Sequence, residues 1–498
     1  MTQETKTVKP ALMGLAAVKV LGPASVDITG VCCDSRAVKP GFAFAAIRGS
    51  AVDGHDFIGG AIRDGATLIL AQEEPALPLP ENVTYAVTVD SRSALGALSD
   101  YFYGFPSRGM KVIGITGTNG KTTTSYLIAS ALKAAGLPCG RIGTIGHDLL
   151  AGKDVEADNT TPESSDVHKM LGKMASRGAK YCAMEVSSHA LEQGRVDSVR
   201  FAVGVFTNLT QDHLDYHGDM ESYFTAKARL FTALGAKRAV INADDPYGAR
   251  LLMMTPGVIA TYGLSQTADF RAENIRVTVE GTSMTLQTPY GAVDVRSTLV
   301  GKHNVYNILA ASAAVMPEGV SKGTFADGVA ALTAVPGRFE RVTPDGAPFA
   351  VIVDYAHTPD ALENVLKTAR GLLDGEGKLI AVFGCGGDRD KTKRPVMGRV
   401  AWTLADRVIV TSDNPRTENP DEIIRQALDG IERKSKPDEA LAVEPDRLSA
   451  IRVAIKGAGK GDIVMLAGKG HEDYQIVGKT KTHFDDRETA RAFLKEIL

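Results

Sequence analysis

Short apolar runs alternate with stretches of helical apolar spacing over most of the chain, the pattern of strands covered by helices. Residues 112–115 read as a buried strand and 125–133 as the helix that follows it. The runs at 181–186, 202–206 and 238–241 repeat the theme and predict a mostly parallel sheet. Upstream, 42–47, 67–71 and 85–89 are shorter strand-like runs, closed by Tyr103-Gly104-Phe105-Pro106-Ser107, which reads as a linker. After Val335-Pro336-Gly337-Arg338 the rhythm returns at 349–353, 379–383, 407–410 and 463–467. Between these blocks, period-two alternation over 275–279 and 284–287 flanks Glu280-Gly281-Thr282-Ser283 and predicts an antiparallel hairpin around that turn. The expected fold is α/β in three domains: 1–108; 109–335, with the hairpin appended to a mostly parallel sheet; and 336–498, Rossmann-like.

A chain of 498 residues is too long for one typical domain. Its 44% hydrophobic and 23% charged residues describe an ordinary globular protein, and a net charge of -3 gives no sign of a nucleic-acid or membrane partner. Five cysteines, with no C-x-x-C spacing, argue for a reducing compartment and against a disulfide framework or zinc site. The N-terminal residues lack the apolar core of a signal peptide, and no apolar run is long enough to span a bilayer. The expected location is the cytoplasm, with no membrane anchor.

The chemistry is densest after the first strand of the central block. Gly117-Thr118-Asn119-Gly120-Lys121-Thr122-Thr123 lies between that strand and its helix. Backbone N–H groups of such a loop cradle phosphates, the helix N-terminus favours their charge, Lys121 reaches the terminal phosphates and Thr122 can hold Mg²⁺. The spacing departs from G-x-x-x-x-G-K-[ST], since Ile115 stands where the first glycine belongs. Two further runs end in polar residues, where parallel sheets gather ligands. Glu185-Val186-Ser187-Ser188-His189 supplies a candidate Mg²⁺ carboxylate, Glu185; Asp212-His213-Leu214-Asp215-Tyr216-His217 follows Thr207-Asn208. Since Mg²⁺ prefers oxygen ligands, His213 reads equally as a phosphate contact or a structural hydrogen-bonding residue. Lys227, in a helical pattern, reads alone as a surface lysine.

In the last block, Asp354 and His357 offer contacts to a ribose or phosphate, or a helix cap and a core histidine. Gly384-Cys385-Gly386-Gly387-Asp388-Arg389 lacks the G-x-G-x-x-G spacing of a dinucleotide turn. With Lys391, Lys393 and Arg394 it forms a basic loop, suited to a carboxylate substrate or merely solvated. Arg416, after the rigid Asn414-Pro415 turn, is placed for bidentate carboxylate recognition. Gly468-Lys469-Gly470-His471-Glu472 adds an acid, so the two loops together suit a zwitterionic amino acid.

Taken together, GTNGKTTT, NTTP at 159–162, EVSSHAL, the 212–217 run, GKHNVYN at 301–307, VPGRFE and DYAHTPD resemble the Mur ligase family, in its order and over nearly the whole chain. The Asp34-Ser35-Arg36 motif, GCGGDRDKTKRP and above all DNPR at 413–416 are similar to the members that join meso-diaminopimelate to UDP-N-acetylmuramoyl-L-alanyl-D-glutamate at the expense of ATP. The resemblance implies Cys33, Ser35 and Ser50 at the UDP part of that substrate. It places Asn159, Thr160, Thr161, Ser187, Gln193 and Arg195 at its muramoyl-dipeptide. The phosphate loop with Asn304, Asn307, Arg338 and Asp354 would hold ATP. Arg389, Asp413, Asn414, Pro415, Arg416, Gly468 and Glu472 would hold diaminopimelate. It also implies Mg²⁺ on Thr122, Glu185 and His213, a carbamylated Lys227, and catalysis by Lys121, Glu185, His213 and Lys227. The implied protein is a cytoplasmic monomer of peptidoglycan precursor synthesis whose partners are small molecules, not nucleic acid.

The implied route is an acyl phosphate. The substrate's γ-carboxylate takes the γ-phosphoryl group, and the amine of diaminopimelate then displaces phosphate, so no Ser or Cys nucleophile is needed. Folylpolyglutamate synthase, of the same superfamily, should lack the N-terminal block and DNPR. A regulator using ATP as a switch would show no amino-acid-dependent phosphate release.

Overall fold

The computed structural model describes residues 5–9, 15–49, 52–76, 78–373 and 375–498. These fall into two compact units: Met1–Arg271 with Thr288–Gly291 and Asn307–Gly328, and Ala272–Gln287 with Ala292–Tyr306 and Val329–Leu498.

Besides a two-stranded pair of Lys6–Val8 and Val26–Ile28, the first unit holds two larger sheets. One orders the strands Ala17–Leu21, Thr84–Thr88, Leu68–Ala71, Phe42–Ala45 and Gly30–Cys32, all parallel except Ala17–Leu21. Helix Ser91–Phe102 follows, its N-terminus capped by Asp90, which accepts from Arg92 N and Ser93 N at 3.0 and 3.2 Å. The cap satisfies backbone donors that the helix itself leaves unpaired. The second sheet places Lys111–Thr116 centrally, between the parallel neighbours Tyr181–Glu185 and Phe201–Phe206. Cys139–Ile142 lies beyond the former; Arg238–Asn242 and Val258–Gly263 lie beyond the latter. The three central strands, Lys111–Thr116, Tyr181–Glu185 and Phe201–Phe206, are buried almost throughout, which is why they read as apolar runs. The sheet builds outward in both directions from Lys111–Thr116, so the loop leaving that strand sits where ligands of open α/β sheets gather. The expected linker at 103–107 is not loose. Pro106 and Ser107 are buried, helix Pro106–Gly109 begins there, and Ser107 Oγ accepts from Arg200 N at 3.1 Å.

In the second unit a parallel sheet orders Ala350–Asp354, Ile463–Ala467, Leu379–Phe383, Arg407–Val410 and Leu441–Val443, with the short Glu340–Arg341 antiparallel at its edge. The expected hairpin is present, with a shorter turn: Phe270–Thr278 and Gly281–Gln287 are hydrogen-bonded neighbours joined at 279–280. The strand Gly281–Gln287 takes in most of the expected turn and pairs also with a third, unforeseen strand, Val293–Ser297. Thr282 opposite Ser297 draws the turn residues into the ladder. Alternate residues of Gly281–Gln287 are buried, the period-two pattern that the sequence displays. Among the described residues, no helix is long and apolar enough to cross a membrane.

Candidate active site

The loop after Lys111–Thr116 turns on two glycines. Gly117 and Gly120 have φ of 148° and 86°, and side chains there would run into Thr207 and Asn307. Helix Lys121–Ala134 starts directly after Gly120, so its first N–H groups, positive end of the helix dipole, face the loop. Thr207 Oγ1 donates to Asn119 O at 2.7 Å, and Asn208 Oδ1 accepts from Asn119 N at 2.9 Å, pinning the loop to the neighbouring strand end. Lys121 Nζ donates to Gly117 O and Thr118 O at 2.8 and 2.7 Å, which holds its charge over the loop. Asn307 packs on the same turn, accepting from Thr124 Oγ1 at 3.4 Å.

Glu185, 1% exposed at the end of Tyr181–Glu185, accepts from Thr122 Oγ1 at 2.9 Å, Thr144 N at 3.0 Å and Thr144 Oγ1 at 2.9 Å. A buried carboxylate needs such partners. Around it, Thr144 and Thr160 share a hydroxyl contact of 3.0 Å, and Thr161 Oγ1 donates to Glu185 O at 2.9 Å and accepts from Ser187 N at 3.0 Å. Arg195 donates to Thr161 O at 3.0 Å and to Gln193 Oε1 at 2.7 Å, and pairs with Glu163 at 3.1 Å; Glu163 in turn pairs with Arg92 at 3.0 Å. Thr160, Thr161, Ser187, Gln193 and Arg195 are thus one polar network continuous with Glu185, while Asn159 is exposed beside it. The Cys33 thiol, pushed up to about 12 by burial and by the charges of Glu163 and Asp166, borders the same network. Ser35 opens a short 3₁₀ turn capped by Asp34. Ser50 lies outside the described residues.

Lys227 is no surface lysine. It is 2% exposed in helix Met220–Ala228, its Nζ donates to Gly117 O at 2.9 Å, and it lies 4.4 Å from the centre of the Tyr223 ring. Gly117 O therefore accepts from both Lys121 and Lys227. Burial, and then the like charge of Lys121, push the Lys227 amine well below the usual lysine range. His213, side chain half-exposed, adopts a left-handed backbone with φ 53° at the head of Leu214–His217, a conformation that costs energy and gathers at functional sites. Partial burial and the charges of Lys121 and Lys227 lower its pKa, although Asp212, 3.5 Å away, opposes them, and this favours the neutral ring. Among the described residues no three His, Cys, Asp or Glu side chains form a metal cluster. The donors at the loop, a Thr hydroxyl and a carboxylate 2.9 Å apart, suit an ion that takes few protein oxygens and completes its shell with water and phosphate.

The second unit carries the other expected nucleotide residues. Asn304 is 2% exposed and donates to Val300 O at 2.8 Å. Asp354 accepts from Phe339 N and Ala356 N at 2.7 and 2.8 Å, and the Arg338 guanidinium lies 4.9 Å from the Tyr355 ring centre. Burial raises the Asp354 carboxyl while Arg338 counters it. His357 is exposed, not a core histidine, and the helix it precedes is capped by Thr358.

The amino-acid motifs converge at the strand ends of this unit. Asn414 Nδ2 donates to Glu472 Oε2 at 2.8 Å, while its Oδ1 accepts from Ile476 N at 3.0 Å. Gln475 donates to Asp413 O at 2.7 Å, and Gly468, φ 116°, sits where a side chain would meet Asp413 Oδ2. Arg416, φ 51°, donates from Nη1 to Gly387 O at 2.8 Å, with Gly387 N bonded back to Asn414 O at 2.9 Å, so the two loops are laced together. Arg389 is exposed on the same loop, near Gly386. Behind them Arg447 and Asp486, both fully buried, pair at 2.6 Å; the same guanidinium donates to Ser412 O and Ala467 O at 3.3 and 3.1 Å, the residues just before Asp413 and Gly468. The basic loop is less free than its sequence suggests. Arg394 is fully buried and bonded to Glu418 at 2.8 Å, so it is not left to meet a substrate, while Lys391 is exposed 3.4 Å from the same acid.

Three family models match in succession: Mur ligase family, catalytic domain, over 27–103; Mur ligase middle domain, over 115–315; and Mur ligase, glutamate ligase domain, over 337–470. The chain is 49% identical over 495 residues to the UDP-N-acetylmuramoyl-L-alanyl-D-glutamate--2,6-diaminopimelate ligase of Geobacter metallireducens, covering 96% of each. It belongs to the Mur ligase family. A solved structure titled as a ligase of that same name superposes with a TM-score of 0.67 at 35% identity, over 94% of this chain and 95% of that one. MurF of Acinetobacter baumannii shares the fold at a TM-score of 0.65, with 21% identity over 95% of this chain and 94% of that one.

Against this Mur ligase frame, the residues that the sequence reading passed over are mostly supports. Thr144 holds both oxygens of Glu185, and Gly143 lets that carboxylate approach, since a Cβ there would lie 2.1 Å from Glu185 Oε1. The signal was present: Gly143-Thr144 follows the strand Cys139–Ile142 just as the other site loops follow theirs. Arg447 and Asp486, distant in sequence and without a motif, gave none.

Proposed function

We propose that this Mur ligase adds meso-diaminopimelate to UDP-N-acetylmuramoyl-L-alanyl-D-glutamate with cleavage of ATP to ADP and phosphate. The observation that carries the reading is the laced cluster of Asp413, Asn414, Arg416, Gly468 and Glu472, in a chain half identical to a ligase bearing that name. An arginine fork and an acid within one cluster match a carboxylate and an ammonium on one carbon.

The phosphate loop binds the triphosphate, with Lys121 opposite its terminal phosphates. Thr122 and Glu185, joined by His213, would hold Mg²⁺, which supplies charge neutralisation on the transferring phosphoryl group. The network of Thr160, Thr161, Ser187, Gln193 and Arg195 orients the dipeptide so that the γ-carboxylate oxygen of its D-glutamate forms the new O–P bond as the bond to ADP breaks. The free amine of diaminopimelate then attacks the acyl carbon. The C–O bond to phosphate breaks, and the amine loses its proton. Preorganised positive groups matter most at the phosphoryl step, where charge moves. Five free cysteines, four of them buried, fit the reducing cytoplasm where such precursors are built. The division of labour is by thirds: the N-terminal domain for UDP, the middle for ATP, the last for the amino acid.

Phosphate release from ATP with the UDP-linked dipeptide tests the reading, with meso-diaminopimelate compared against L-lysine. Release dependent on diaminopimelate is expected. Arg416→Ala should raise the KM for diaminopimelate by roughly 30-fold or more, the loss of a charge-assisted contact of about 2 kcal/mol, and leave that for ATP nearly unchanged. Equal use of lysine by the wild type, or equal loss of both substrates by the variant, overturns it.

A further inference from the structure

Lys469 is fully buried between the two amino-acid loops, 0% exposed, yet its motif assigns it nothing. Its position is forced. Gly468 on one side and Gly470 on the other both have positive φ, and a side chain on either would collide, with Asp413 or with Tyr355. The segment is therefore wedged, and Lys469 can only point inward. Nζ lies 3.3 Å from Asn414 Oδ1 and 3.3 Å from Glu472 Oε2. Asn414 is thereby fixed in orientation: its Oδ1 accepts from Lys469 Nζ and Ile476 N, so its Nδ2 must face Glu472. Both of the bonds that Glu472 accepts, from Asn414 and from Lys469, fall on Oε2. Its side chain keeps 15% exposure, and Oε1 has no partner among the described residues.

We propose that Lys469 is a positioning residue for substrate selection: by occupying Oε2 of Glu472 jointly with Asn414, it orients the carboxylate and leaves Oε1 as the acceptor for the ammonium of the amino acid's distal head. The proposal rests on the reading of the amino-acid site given above. The groups facing Glu472 make the lysine's charge necessary. Asp413 is a like charge, the Tyr355 hydroxyl is neutral with its pKa pushed up to about 12, and the charge of Arg447 is taken by Asp486. Burial and Asp413 favour the protonated carboxyl, and Lys469 is the principal opposing charge. A protonated Glu472 could not pair with an ammonium; a neutral side chain at 469 would let it take a proton.

The test is phosphate release by the full-length enzyme with meso-diaminopimelate varied, from pH 6 to 8.5, for wild type, Lys469→Met, Lys469→Arg, Glu472→Gln and the double variant Lys469→Met/Glu472→Gln. The expected result is a KM for diaminopimelate at least tenfold higher in Lys469→Met at pH 6 and falling steeply as pH rises, against a flatter wild-type profile, with the KM for ATP unmoved. Lys469→Arg, which keeps the charge, should retain the wild-type pH profile. On the Glu472→Gln background the same Lys469→Met change should be nearly silent at every pH, and that pair carries no lone buried charge should Lys469→Met alone fail to fold. A rise in KM equal at all pH values, or a further fivefold loss on the Glu472→Gln background, would mean that Lys469 merely fills space, and overturns the proposal. No diaminopimelate-dependent release by the wild type itself would instead overturn the reading of the site.

Discussion

Adding one methyl group at Gly143 should disable the phosphate site. The backbone there is not in the left-handed region, so alanine is conformationally acceptable and the effect is purely steric. The new Cβ would stand 2.1 Å from Glu185 Oε1, 2.8 Å from Cδ and 3.1 Å from Cγ. On an open surface a glutamate would swing away. Glu185 is 1% exposed and held by three bonds from Thr122 and Thr144. Restoring an ordinary contact requires a shift of over an ångström, which breaks at least two of these bonds. Each bond to a buried carboxylate is worth about 1.5–3 kcal/mol, so Gly143→Ala should cost the first unit on the order of 3 kcal/mol. Since the displaced carboxylate is the proposed Mg²⁺ ligand, activity should fall by about 100-fold or more, equivalent to about 2.7 kcal/mol of barrier. Urea unfolding followed by circular dichroism, together with phosphate release against Mg²⁺ concentration, reads both. A variant within about 0.5 kcal/mol of wild type and with an unchanged Mg²⁺ requirement would refute the account of how Glu185 is held.

Two further outcomes follow from buried bases. The lowered pKa of Lys227 gives a share of neutral amine, the form that adds to carbon dioxide to yield a carbamate; removing dissolved carbon dioxide should therefore lower phosphate release by about tenfold, or about 1.4 kcal/mol, bicarbonate should restore it, and Lys227→Met should be inactive in both media. Bicarbonate-independent wild-type activity would refute this. His168, 0% exposed, has its pKa lowered by burial from 6.5 to about 4, and Asp100 Oδ1, 3.4 Å from its Nδ1, makes no hydrogen bond to it. As pH falls the unfolded chain takes the proton first, so this contribution is complete above pH 6.5 and is lost between 6.5 and 4, by about 3 kcal/mol. His168→Leu should flatten the unfolding free energy over that window; an identical pH slope in both proteins would count against it.

Much of the architecture was legible because parallel strands buried on both faces cannot hide: residues 112–115, Leu379–Phe383 and Ile463–Ala467 are apolar runs. Val293–Ser297 was not, since its sequence VDVRS alternates weakly and only two of its residues are buried. In the site, the motif residues were visible as polar runs after strands. Burial of individual charges was not. Nothing local distinguishes Lys227 in Met220–Ala228 from a solvated lysine, because its partner, Gly117 O, lies 110 residues away. Arg394 looked free for the same reason: its acid, Glu418, is contributed by another loop.

The Arg447 guanidinium, which grips the carbonyls of Ser412 and Ala467 at once, has a consequence for altering what the enzyme accepts. The two loops proposed to select the amino acid share one anchor, so a change in the course of either is transmitted to the other. Grafting a different sequence over Asp413 to Arg416 alone would pull on the Gly468 loop through that anchor and misplace Glu472. Any redesign toward another diamino acid must therefore exchange both loops as a set, and the same linkage confines natural drift at one of them to what the other can absorb.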